Sequence, residues 1–457
     1  MKKTILICAP FSSRSGYGDH ARDIYEALFN SDKYILRTID VPWGDCPRNA
    51  LKDDNKVHKA ILNGYINNGN QLTSQPDIYI DIRIPNEFQQ VGKFNIGITA
   101  GIETNAVSQV WLEGCNKMDL IIVPSQHSKK GFVSSVYDKI QQSPDGQQQQ
   151  KIGELKIEKP IEVVFEGIDT DIFKQVDASK THEKLFDDIN DMVSENFAFL
   201  FVGQWGNGSL GEDRKDIGTM IKVFYESFAN KEKQPALILK TNGPSYSIID
   251  RETVLAKIKQ VKHMFPSDWK LPNVYLLHGD FSKEEINSLY NHPKIKSMIS
   301  FTHGEGFGRP LLEAALVGLP IIAPAWSGQT DFLSNTDHML LGGKLDKVPN
   351  SAVWKDIIIQ DSEWFYVDEN QAYKALNQAF NDESAWTERG INYMKNNKMQ
   401  YDLDVMEKEL IHVIEQYTAQ LSQEVSINLP KLKKVDNVEK NPIPQELKLP
   451  KLKKVGV

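Results

Sequence analysis

At 457 residues the chain is too long for one ordinary hydrophobic core, so two domains are expected. With 40% hydrophobic and 25% charged residues, and no apolar run near the ~18 residues of a membrane span, the composition is that of a soluble globular protein. A net charge of −8 argues against a surface wholly devoted to nucleic acid. Cys8, Cys46 and Cys115 fall in no paired metal-ligand spacing, which suits a reducing compartment and a cytoplasmic location and gives no sign of a structural zinc.

The opening "MKKTILICAPF" has an apolar run too short for a signal peptide and reads as a first strand. It begins a series of short β-branched runs, "TILICAPF", "YILRTID", "PDIYIDIRI", "FNIGITAGI", "DLIIVPS" and "IEVVFEGID", separated by helical patterns. Such alternation predicts parallel βα units. The stretch "QQSPDGQQQQK" at 141–151 interrupts the series and is expected to be a mobile excursion. A second series follows in "FAFLFVGQW", "ALILK", "NVYLLHG", "IKSMISF" and "LPIIAPA", so the predicted fold class is α/β with two doubly wound halves. The expected domains are 1–180 and 181–400, followed by a C-terminal helix at 401–420 and a Lys-rich tail at 421–457. Ligands of doubly wound sheets bind outside the carboxyl ends of the strands, which directs attention to the loops there.

One such loop lies in "FTHGEGFGRPLLEAALVGLP" at 301–320. Pro310 suits the start of a helix, and Gly318 suits its left-handed end. Free N–H groups at that helix start favour an anion, and Gly306 and Gly308, with Phe307 between them, would let a phosphate approach the backbone. Glu305 and Glu313 would repel a phosphate unless they face something else, and the hydroxyls of a ribose and of a sugar are fitting partners. A sugar nucleotide is thus the expected ligand. Glu313 also reads as a plain complement to the helix dipole, and Glu305 as a loop surface charge.

These residues resemble the retaining GT-B glycosyltransferases of the family 4 type, whose signature of two glutamates separated by seven residues is matched by Glu305 and Glu313. The resemblance extends over about 15–420 and includes "VPSQHSKKGF", "VVFEGIDTDIF" and "RKDIGTMIKVF". It implies a GT-B fold of two facing Rossmann-like domains and transfer, with retention, from a nucleotide diphosphate sugar, UDP- or GDP-linked, without a metal or resident cofactor. By the resemblance, Glu305 touches the donor sugar, Glu313 the ribose hydroxyls, and Lys215 neutralises the departing diphosphate. The family's arginine after the first strand of the second half is replaced by Gln204, and Arg214 is the substitute expected. Gly16 and Gly18 would form a first-domain loop near the diphosphate, Ser327 and Gly328 would reach the phosphates or sugar, and Thr99, Glu103 and His20 would face the acceptor.

Two rival signals stand beside this reading. "GYGDHA" at 16–21 with Asp40 imitates a dinucleotide fingerprint and an NAD-dependent oxidoreductase, although Ser12 to Ser15 separate strand from glycine. A non-catalytic sugar-nucleotide-binding protein is the other alternative. The tail repeats "LPKLKKV" at 429–435 and 449–455 and carries a net charge of +4. It reads either as a solvated linker end or as a motif docking a protein, an anionic membrane or nucleic acid. Acceptors consistent with the chain are a saccharide, lipid or protein, or hydroxylated bases in DNA.

Overall fold

The computed structural model describes residues 2–66, 72, 74–142, 149–206, 208–243 and 247–421. Its first half contains β1 (Lys3–Ala9), β2 (Tyr34–Asp40), β3 (Ile78–Ile82), β4 (Phe94–Ile98), β5 (Leu120–Val123), β6 (Tyr137–Gln142), β7 (Gln149–Leu155) and β8 (Ile161–Val163). Among the described residues these form a parallel sheet in the order β2-β1-β3-β4-β5-β8, with β6 and β7 paired apart as an antiparallel hairpin. That hairpin flanks the Gln-rich stretch expected to be mobile, whose residues 143–148 lie outside the described ones.

The second half contains β9 (Ala198–Val202), β10 (Ala236–Lys240), β11 (Val274–Leu277), β12 (Ile295–Ile299), β13 (Ile321–Pro324), β14 (Met339–Leu341), β15 (Gly343–Lys347) and β16 (Glu363–Val367). The parallel order is β11-β10-β9-β12-β13-β14, and β15 pairs antiparallel with β16. The architecture is the GT-B fold, two Rossmann-like domains in one chain. No described helix is long and apolar enough to cross a membrane.

Helices cover both faces of each sheet, which is why the central strands are hydrophobic throughout instead of alternating. In the second domain Ala198 and Leu200 of β9 point into one cluster while Phe199 and Phe201 point into another. Ile5 and Ile7 of β1 are divided from Leu6 and Cys8 in the same way. Local signals set the helix ends. Ser15 caps the helix Gly16–Asn30 by accepting from the Gly18 N–H, and Ser125 caps Gln126–Ser134 by accepting from the Ser128 N–H.

The chain crosses between domains twice. At 166–171 the Ile168 N–H donates to the Tyr401 carbonyl at 2.9 Å, and the Leu403 N–H returns to Ile168 at 3.0 Å. The helix Leu403–Thr418 then buries Met406, Leu410, Val413 and Ile414 among Ile5, Ile24 and Ile80 of the first domain. The last helix thereby completes the first core. "DTD" at 169–171 serves this crossing: Asp169 accepts from the Asp171 N–H and the Thr170 hydroxyl bonds Asp402. The tail with its two LPKLKKV copies lies, from residue 422 on, outside the described residues.

Candidate functional site

The signature loop follows β12, at the carboxyl edge of the second sheet. Gly308, with φ of +99°, turns the chain into the helix Arg309–Leu316, where Pro310 occupies the first turn and needs no N–H partner. Glu305 is 8% exposed. Its Oε1 lies 2.5 Å from Lys215 Nζ and its Oε2 3.2 Å from an Arg214 guanidinium nitrogen. Burial alone would raise the Glu305 carboxyl, yet Lys215 and Arg214 overcome it and hold the group down at about 2. Burial lowers Lys215 against the pull of Glu305. Both cations come from the turn before the helix Ile217–Phe228, where Asp216 adopts a left-handed φ of +47°. Lys215 is therefore a buried turn residue rather than a solvated helix charge.

A second loop buttresses Glu305. Its N–H donates to Ser327 Oγ at 2.9 Å, and that hydroxyl donates in turn to Gln329 Oε1 at 2.8 Å. Ser327 sits at φ +73°, a strained conformation for a residue with a side chain, maintained by these bonds and by the Gly328 N–H on the Glu305 carbonyl at 2.9 Å.

The first domain closes over this loop. Arg214 Nε is 3.7 Å from Glu103 Oε1, and Ser125 Oγ donates to the Gly306 carbonyl at 2.6 Å. A Cβ on Gly306 would lie 1.9 Å from the Ala100 carbonyl oxygen. The bare flank of Gly306 thus admits first-domain backbone. Phe307 is 3% exposed and its ring packs on Phe332 in the core, so its side chain anchors the loop. Gly16 and Gly18 are not loop residues either; both belong to the first turn of the helix Gly16–Asn30. Gly18 packs against the Ser13 carbonyl. Thr99 is buried, bonded to the Tyr17 hydroxyl at 2.8 Å. His20, expected at the acceptor, is 2% exposed, and burial holds it near 4.

Glu313 heads a separate network. Its carboxylate takes Arg309 Nε at 3.2 Å and the Tyr290 hydroxyl at 3.3 Å, so part of its capacity for ribose hydroxyls is already used. Arg309 reaches across to Asp23 Oδ2 at 2.5 Å and lies 4.0 Å from Glu166. Lys283 stands 3.8 Å from Asp23. Burial drives the Glu166 carboxyl up to about 7 despite Arg309. Burial also pushes Asp23 up, but Arg309 and Lys283 prevail and keep it below the usual carboxylate range. Sequence reasoning did not find Arg309, Asp23 or Glu166, because each reads locally as an ordinary helix or turn charge.

Asp40, the acid of the dinucleotide reading, is committed elsewhere: it accepts from the Ser12 N–H at 3.0 Å, Ser12 Oγ at 2.6 Å and Arg48 at 2.5 Å. Among the described residues no group of three His, Cys, Asp or Glu side chains is placed to hold a metal ion. A surface hollow of about 530 Å³ lined by Tyr25, Phe29 and Tyr34 lies at the opposite end of the helix Gly16–Asn30 from these loops and shares no residue with them.

No protein-family model matches the chain, and no curated protein matches it in sequence. Solved structures do match in fold. A sucrose-phosphate synthase from Thermosynechococcus elongatus aligns with a TM-score of 0.60 at 13% identity, covering 92% of this chain and 100% of that one. HepE from Anabaena, solved with UDP and glucose, gives 0.55 at 13% identity over 91% and 100%. The catalytic domain of starch synthase IV from Arabidopsis thaliana, bound to ADP and acarbose, gives 0.55 at 12% identity over 92% and 100%. The likeness spans both Rossmann-like domains and the crossing that joins them, so what the chain shares with these glycosyltransferases is the whole GT-B architecture.

Proposed function

We propose that the protein is a retaining glycosyltransferase that moves a sugar from a nucleotide diphosphate sugar to an acceptor hydroxyl. The observation that carries this is the clasp of Lys215 and part-exposed Arg214 on buried Glu305 at the carboxyl edge of the second sheet. Two cations converging on one carboxylate form a site that an incoming diphosphate can share, leaving Glu305 to accept hydrogen bonds from sugar hydroxyls. As the bond from the anomeric carbon to phosphate oxygen breaks, charge grows on the leaving diphosphate. Lys215 and Arg214 stabilise it there without a metal. The acceptor oxygen bonds the same face of the anomeric carbon, and its proton passes to the departing phosphate. The fold shared with proteins solved with UDP and with ADP supports a nucleotide-linked donor.

The test is a panel of UDP-, GDP- and ADP-sugars, with nucleotide release measured and the product's anomeric configuration read by NMR. Release with retained configuration, unaffected by EDTA, is the expected outcome. Inverted product or full EDTA loss restored by Mg²⁺ defeats the scheme. Binding without turnover on any acceptor or water favours a sugar-nucleotide-binding protein.

A further inference from the structure

The loop after β2 carries a feature that the donor site does not use. Trp43 lies flat on Tyr17, with ring centroids 4.0 Å apart and planes 29° apart. Trp43 and Tyr17 are each part-exposed as residues, while the Tyr17 hydroxyl is buried against Thr99, which leaves the indole as the more accessible ring. The loop is tied down before the tryptophan by the Val41 N–H on the Ala9 carbonyl at 3.1 Å and after it by three further contacts. The Arg14 N–H donates to the Pro47 carbonyl at 2.9 Å, the Ala50 N–H to the Ser12 carbonyl at 3.0 Å, and Arg48 pairs with Asp40. Trp43 is thus held in place, not left on a free loop.

The stack stands next to the proposed chemistry. The Tyr17 hydroxyl bonds Thr99, the next residue's carbonyl presses on Gly306, and Glu103 meets Arg214. From the platform to Glu305 the path is a few bonded residues of the first-domain wall. We propose that the Trp43–Tyr17 stack is the acceptor platform and that its occupant is an uncharged saccharide, the apolar face of a pyranose lying on the indole.

Charge decides between this and a polyphosphate acceptor. The segments 12–18 and 40–55 carry Arg14, Arg48 and Lys52 against Asp40, Asp45, Asp53 and Asp54. Both arginines are engaged, Arg48 with Asp40 at 2.5 Å and Arg14 with Asp280 at 3.4 Å and Asn49 at 3.1 Å. Such a nearly neutral surface, with both arginines paired, lacks the row of free cations that a chain of phosphates recruits. Exposed Asp45 and Asn49 of the same loop instead offer carboxylate acceptors and an amide donor suited to hydroxyls.

The inference rests on the glycosyl-transfer reading, and its test separates the two. Saturation-transfer NMR on the full chain with UDP, using methyl glucosides, maltose, cellobiose and lactose as probes, reports saccharide contact whether or not transfer occurs. Transfer assays with the same sugars then give KM and kcat. Trp43→Leu should raise the acceptor KM about tenfold with kcat changed less than about twofold and nucleotide affinity unmoved, and Trp43→Phe should restore most of the loss. Leucine removes both the π face and part of the volume, whereas phenylalanine restores a π face in a side chain still smaller than indole, so recovery of KM in Trp43→Phe separates stacking from packing. An acceptor KM unmoved by Trp43→Leu overturns the platform, as does saturation transfer equal in wild type and variant. Preference for an oligonucleotide carrying hydroxymethylated bases over every saccharide, with a salt-dependent KM, overturns the assigned occupant. Absence of turnover with every donor, alongside Trp43-dependent saccharide binding, defeats the enzymatic reading and sustains the platform.

Discussion

Glu305 meets two cations, Lys215 at 2.5 Å and Arg214 at 3.2 Å, whereas eight residues on Glu313 shares the single guanidinium of Arg309 with Asp23 and Glu166. Both carboxylates are buried, so the difference lies in charge balance and not in depth. The first region has positive charge that an anionic ligand can recruit. The second has more acid than base, and its strongest contact, Arg309 to Asp23, joins one domain to the other. One motif therefore takes part in two different arrangements: a clasp of two cations on Glu305 and a latch, the Arg309–Asp23 bond that joins the two domains.

Breaking the latch should give the largest effect. Arg309→Met leaves Asp23 with only Lys283 and strips Glu313 of its cation, so stability should fall by about 3–5 kcal/mol, the usual result of removing one partner of a buried pair. Calorimetry measures it, and small-angle scattering should show a larger radius as the domains part. A loss below about 1 kcal/mol with unchanged dimensions means that the domains are held by other contacts.

In the clasp, the expected effect is on rate. Lys215→Ala should lower turnover by ~10²-fold, and Glu305→Ala should lower it as well. Because the two side chains are bonded, the double variant should lose less than the product of the single losses. Nucleotide release at saturating donor is the measurement. Normal turnover in both single variants removes the site from this loop.

How much of this was legible in the sequence follows from where the information lies. The runs "TILICAPF" and "ALILK" became β1 and β10 because a strand covered on both faces is apolar along most of its length, while "YILRTID" became β2, a part-exposed edge strand marked by its β-branched residues. β15, "GKLDK", is exposed along its length and has no apolar signal, so the β15–β16 pair was invisible. The clasp was legible in residue types, since Glu305, Lys215 and Arg214 stood out by spacing and resemblance. The latch was not: Asp23 and Arg309 are 286 positions apart, and although Arg309 lies within the 301–320 stretch, nothing local to either residue says which partner it faces. Trp43 was hidden likewise, because its stack on Tyr17 depends on a loop folding back over a helix start.

Glu313 sharpens the comparison at a smaller scale. If it also serves the ribose, Glu313→Ala should weaken nucleotide binding by about tenfold while kcat at saturation changes less. Titration calorimetry with UDP and GDP reads the affinity. A fall in kcat equal to that of Lys215→Ala would make the two ends one catalytic unit instead of two devices.

The smallest effect tests the opposite signs of the two regions with pH. Glu305, held at about 2, contributes stability that is present above its ordinary value of about 4.5 and lost as pH falls through 2. Glu166, raised by burial to about 7, behaves in reverse: the folded state binds its proton more tightly, so its contribution is full below about 4.5 and is lost as pH rises through 7. Asp19, Asp23 and Glu313 oppose its ionisation and Arg309 favours it. Glu166→Gln, which cannot ionise, should match wild type near pH 4 and exceed it at pH 8 by on the order of 1 kcal/mol. Asp216 and Asp213, raised by burial to about 7 and 6, add slopes of the same sign, so only the difference between variant and wild type isolates Glu166. Urea unfolding at pH 4, 6 and 8 measures that difference. Parallel curves at all three values would place Glu166 in an environment no different from water, and the acid excess of the latch would then carry no energetic weight.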